Sequence, residues 1–148
     1  MKKLLGIIVL GLLLSGNVYS ANLNLVCNGL GSKKSLITQY DNNTGTSTDV
    51  SYTEQTNSDV NVSIGEKGNW IQIPMHLLPR IKKKKANNKY DIYDLRISED
   101  SITGKFKLNI INKPSMTIDR YSGVLSFRGK GLSFTGECNK VDREEKKF

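Results

Sequence analysis

The sequence predicts an all-β domain, a small antiparallel meander barrel of about eight to ten strands closed by one disulfide. A two-sheet sandwich is the alternative. Three observations carry this expectation. Apolar residues alternate with polar ones at a period of two in nearly every readable segment, the mark of half-buried strands. Turn clusters rich in Gly, Asn, Asp and Pro punctuate these runs at short intervals, as they do in antiparallel sheets. The two cysteines, Cys27 and Cys138, lie on the apolar faces of the first and last runs.

The chain has 148 residues, which suits one domain. Residues 1–20 read as a cleavable export signal. Lys2 and Lys3 precede the apolar run Leu4 to Leu14, Ser15 to Asn17 break it, and Val18-Tyr19-Ser20 offers a cleavage site after Ser20. A membrane anchor is disfavoured, because a spanning helix needs about 20 apolar residues and this run is about half that. Residues 21–140 form the expected β domain, and 141–148 a charged tail. The expected location is periplasmic or secreted. Of the 22 Lys and Arg, Lys2 and Lys3 leave with the signal, so 20 remain against 14 Asp and Glu. An oxidising compartment pairs an even count of thiols, so Cys27 and Cys138 are expected to bridge.

Leu23, Leu25 and Cys27 share one face of the first strand, which Gly29 and Gly31 are expected to end. Ser35 to Tyr40 reads as a second strand, followed by the turn Asp41 to Gly45. Val50 and Tyr52 begin a weak polar strand, and Val60, Val62 and Ile64 alternate in another. Trp70 to Ile73 is a short strand stopped by Pro74. Residues from Pro74 to Asn88 read as a long exposed basic loop, with one helical turn at Met75 to Leu78. Pro79 prevents a longer helix by removing a donor.

Tyr93, Leu95 and Ile97 alternate with Asp94 and Arg96. Ile102, Phe106, Leu108 and Ile110 follow, with Gly104 permitting a bend or bulge. Asn112 to Ser115 is a turn. Met116 and Ile118 lead through Asp119-Arg120 to a turn that Gly123 completes with a positive φ. Leu125 and Phe127 form the next strand, and Leu132, Phe134, Gly136 and Cys138 share one face of the last.

No catalytic, metal or cofactor pattern stands out. His76 is the only histidine, and no sequence neighbour orients it as a general base needs. The carboxylate pairs Asp91/Asp94 and Glu99/Asp100 do not suggest two groups held across a glycosidase cleft. The run Arg80, Lys82, Lys83, Lys84 and Lys85, flanked by Trp70 and Tyr90, is a candidate grip for an anionic envelope surface. No aromatic is interleaved in it as nucleic-acid stacking requires, so nucleic acid is not expected as a partner. Asp119, Arg120 and Gly123 are read as a structural turn.

Ile71 to Pro74 with Leu78-Pro79, Ile102 to Asn109, and Ile118-Asp119-Arg120 through Gly123 to Phe134-Thr135-Gly136-Glu137-Cys138 together resemble a group of small exported proteobacterial proteins. That group carries an Ile-Asp-Arg-x-x-Gly turn and a C-terminal Gly-x-Cys. The resemblance spans mainly residues 70–138. It implies a periplasmic home and a disulfide, and adds no catalytic residue. The expected function is therefore a non-enzymatic exported protein, a binding or envelope-associated module with no cofactor. Its partner would be an anionic surface or another exported protein. The rivals are an inhibitor of an exported hydrolase such as lysozyme and a carrier of an apolar ligand inside the barrel. No transmembrane segment is expected after cleavage.

Overall fold

The computed structural model describes residues 22–79 and 86–141. The expected export signal, the run from Arg80 through Lys85 and the tail beyond Val141 lie outside the described residues. The described residues form eight strands: β1 Leu23–Asp41, β2 Thr46–Ile64, β3 Trp70–Gln72, β4 Lys89–Ile97, β5 Ser101–Phe106, β6 Ser115–Asp119, β7 Val124–Gly129 and β8 Leu132–Lys140. Each pairs antiparallel with the next, and β8 pairs back onto β1. The all-β meander expected from the sequence is therefore what forms. No α-helix occurs among the described residues; a short 3-10 turn spans Ala86–Asn88.

The disulfide joins Cys27 to Cys138, which stand directly opposite each other in the β1–β8 ladder. It staples the first strand to the last where the ring returns on itself. Inward residues of all strands merge into one core. Its spine is aromatic: Tyr90, Phe106, Phe127 and Phe134 follow one another with ring centroids 6.4, 5.4 and 5.4 Å apart. Such spacings suit tilted, edge-on and offset-stacked rings.

Several local expectations need correction. Gly29 and Gly31 do not end a strand; β1 runs through both and continues past Ser35 to Tyr40. Their role is close approach. Gly29 faces Gly136 across the β1–β8 ladder, and a side chain there would strike the Thr135 carbonyl oxygen and the Gly136 Cα. A side chain at Gly31 would strike Leu77. The two separate strands expected around Val50 and Val60 are likewise one, β2. Long, mostly polar β-structure looks interrupted in sequence because only its proximal half faces a core.

Of the expected Tyr93, Leu95, Ile97 face, Leu95 packs against the core but Tyr93 does not belong to it. Tyr90 and Ile92 point inward instead, and Tyr93 is exposed. The β4–β5 register shifts between Tyr93 and Arg96, so two residues oppose one. Asp94 adopts φ +51 at this bulge, which bends the strand and increases its twist. The irregularity expected at Gly104 is this bulge: Asp94 and Leu95 of β4 lie opposite Gly104, which itself stays in the β5–β6 ladder opposite Met116.

Ile110 is 81% exposed rather than on a core face. β5 stops at Phe106 because the chain turns over Asn112: the Leu108 amide donates to the Asn112 carbonyl at 3.0 Å. The Asn112 side chain is buried, donating to Lys130 O at 3.0 Å and accepting from Lys130 N at 2.9 Å. It thus ties this loop to the β7–β8 turn. Finally, the segment after Pro74 is not wholly exposed. The expected turn exists, with Leu77 N donating to Pro74 O at 3.1 Å and Leu78 N to Met75 O at 3.2 Å. It drives Leu77 and Leu78 into the core.

Candidate functional site

The two ends of the barrel differ. Leu77 and Leu78 plug one end, from which the distal parts of β1 and β2 project as a two-stranded ribbon. At the other end the connections are tight turns, and among the described residues no loop folds over. An open cup of about 430 Å³ remains, within the roughly 300–1,000 Å³ usual for small-molecule sites.

The cup wall is aliphatic. Leu25 comes from β1, Ile64 from the end of β2, Leu95 and Ile97 from β4 beyond its bulge, Ile102 from β5 and Ile118 from β6. Most are buried, but Ile97 at the mouth is 45% exposed. The bulge explains how Leu95 and Ile97 enter the lining: the extra residue re-aims the strand after Ile92. Polar groups occupy the rim, including Asn69, Asp119, Arg120 and Lys140.

The Asp119-Arg120-x-x-Gly123 segment forms part of that rim. The Asp119 carboxylate accepts the amides of Tyr121 at 2.9 Å and Ser122 at 2.8 Å. Gly123 closes the turn at φ +70, its amide donating to Asp119 O at 2.9 Å. Arg120 links two neighbouring turns: Nη1 donates to Ser98 O at 2.6 Å and its amide to Asp100 O at 2.9 Å. The Ser122 and Tyr121 donors hold the Asp119 carboxyl below its ordinary pKa of 3.8. The Ser98 hydroxyl, 2.6 Å away, is the main cause of a like depression at Asp100. The segment is thus a braced rim between β6 and β7, next to the mouth of the cup.

A second cleft lies by the plug, lined in part by Ser58 and His76. Ser58 Oγ lies 2.7 Å from His76 Nε2. It also donates to Thr56 O at 3.2 Å. A hydroxyl committed in this way accepts from the imidazole rather than yielding it a proton. A nucleophile–base pair also needs a third group to orient the base. Asp59, the nearest acid in sequence, accepts from Asn28 Nδ2 at 2.6 Å instead. Together with Lys33 Nζ donating to His76 O at 3.0 Å, the contact fastens the plug to β1 and β2. No local pattern announces this partner, which lies 18 residues away.

The other singled-out residues separate. Arg80, Lys82, Lys83, Lys84 and Lys85 fall outside the described residues. Trp70 carries Lys89 Nζ 4.1 Å above its ring. Tyr90 is buried in the core and is no surface platform; burial pushes its hydroxyl's pKa up. Among the described residues no cluster of His, Cys, Asp or Glu could hold a metal ion, and no helix is long and apolar enough to cross a membrane. The cup escaped sequence reading because five separate strands build its wall. The only available signal was that Leu and Ile fill the inward positions nearest one set of turns. No family model, curated protein or solved structure matches this chain.

Proposed function

We propose that this protein is an exported, non-enzymatic binding module that holds an apolar or amphipathic small molecule in the open end of its barrel. The observation carrying this reading is the aliphatic cup of about 430 Å³ with polar groups confined to its rim. Ligand sites of this kind are mostly apolar, with few polar groups that fix orientation. Export is supported by the Lys2-Lys3 start, the short apolar run and the Cys27–Cys138 bridge.

A fluorescent fatty-acid analogue tests the cup. It should bind the parent and gain emission on leaving water. Ile97→Glu puts a carboxylate at the mouth without disturbing the buried core. Burying a charge opposite an apolar ligand costs several kcal/mol, so affinity should fall at least about tenfold. Ile110→Glu, on an exposed loop at the other end, should bind like the parent. No binding by the parent, or equal binding by both variants, would refute the assignment.

A further inference from the structure

The distal part of β1 is an unfinished strand edge. The β1–β8 ladder ends at Lys33 opposite Leu132, and Lys34 N makes a last bond to Gly131 O at 2.9 Å. Beyond it, residues 35–41 pair, among the described residues, only with β2. The β1–β2 register is unbroken, so the even-numbered residues keep Lys34's orientation. Leu36, Thr38 and Tyr40 therefore turn their backbone donors and acceptors toward open solvent. Leu36 is 72% and Tyr40 66% exposed. A two-stranded ribbon alone is marginally stable in water, and unpaired edges template further pairing.

We propose that this edge pairs with the same edge of a second copy of the chain, antiparallel about a two-fold axis at Thr38. Parity selects the register. Directly opposed residues must both present their hydrogen-bonding groups, so Thr38 meets Thr38 of the second copy and Leu36 meets Tyr40 of the second copy. The second relation occurs twice and forms two aromatic–aliphatic cross-strand pairs of the stabilising kind. Lys33 then lies diagonal to Asp41 of the second copy, and Lys34 diagonal to its Tyr40.

Charge argues for β1 over the other open edge. The ribbon segment from Ser35 to Asp59 contains Asp41, Asp49, Glu54 and Asp59 and no Lys, Arg or His. The open edge of β2 carries three of these acids, so pairing it with itself would gather like charge. The β1 edge instead has an acidic tip and a basic base, at Lys33 and Lys34, and antiparallel pairing sets each tip by the other's base. Its seven residues span about 24 Å. A single strand edge of that length buries less than the roughly 1,200–2,000 Å² of a standard stable interface, so the dimer is reversible and concentration-dependent.

Sedimentation velocity on the oxidised protein across a concentration series tests this. The parent should show a monomer–dimer equilibrium. In Thr38→Pro the lost amide faces the open edge, so the fold is spared while two bonds across the axis vanish. With each bond worth about 1 kcal/mol net, the association constant should fall about 30-fold with unchanged circular dichroism. Thr38→Cys offers an independent reading if the proline variant misfolds. Hydrogen-bonded partners stand about 5.5 Å apart at Cα, within disulfide range, so mild oxidation should yield a covalent dimer. Thr48→Cys, on β2, should not cross-link. A parent that stays monomeric up to about 1 mM, a Thr38→Pro variant that associates as tightly, or cross-linking at position 48 in place of 38 would each overturn the proposal.

Discussion

Asp119 shows how one exposed carboxylate organises a turn. Its oxygen accepts two backbone amides while Gly123 supplies the positive φ that lets the chain reverse. The native carboxyl titrates below 3.8, whereas in the unfolded chain it titrates near its ordinary value. Its contribution is therefore complete above the ordinary value and is lost as the pH falls through the depressed native one. Asp41 and Asp100 are shifted in the same direction by their own hydrogen-bond donors, so they add to the same acid limb. Asp119→Asn keeps an acceptor oxygen but loses the charge. Thermal midpoints measured between about pH 5 and pH 2 should fall less steeply for this variant than for the parent. An identical slope would show that the turn does not depend on ionisation. This motif was legible in the sequence, because Asp, Arg and Gly at those offsets have a local physical purpose. Its place beside a ligand-sized cup was not.

Among the elements, β1 departs furthest from what its composition suggests. Glycine normally weakens a strand interior, yet Gly29 and Gly31 sit inside a ladder of 19 residues. What they permit is contact: Gly29 against β8 and Gly31 against the Leu77 plug. Gly29→Ala should destabilise the protein by about 1–3 kcal/mol, the usual cost of overpacking. The bridge two residues away holds β1 on β8 and limits how far the strands can part. Urea denaturation would measure the loss; an unchanged midpoint would mean the strands separate freely. The bulge in β4 teaches a related lesson. Period-two alternation through Tyr93 and Ile97 reads as one continuous face, but the extra residue at the bulge turns Tyr93 outward while Leu95 and Ile97 stay in the cup wall. A bulge leaves almost no trace in hydropathy, since it changes the count and not the composition.

For the whole molecule, the disulfide has the longest reach. It spans 111 residues, so in the chain-entropy account its loss would cost about 5 kcal/mol, less any native strain. The paired variant Cys27→Ser with Cys138→Ser should unfold at markedly lower denaturant. A midpoint within error of the parent would show that strand pairing alone closes the ring. The sequence by itself determined the all-β class and the pairing of the two cysteines, and favoured a meander over a sandwich without deciding between them. Each follows from short-range alternation, turn chemistry or simple thiol arithmetic. It also marked the Asp119 turn and the single helical turn after Pro74, which local hydrogen bonding settles. Only the tertiary structure decided where strands end, which end of the barrel stays open and what faces Ser58. Strand length depends on whether a neighbour is present to pair, as β1 shows by outrunning β8. The cup depends on inward residues of five strands meeting at one level, set by register and one bulge. Those relations connect positions far apart in the chain, and no local period encodes them.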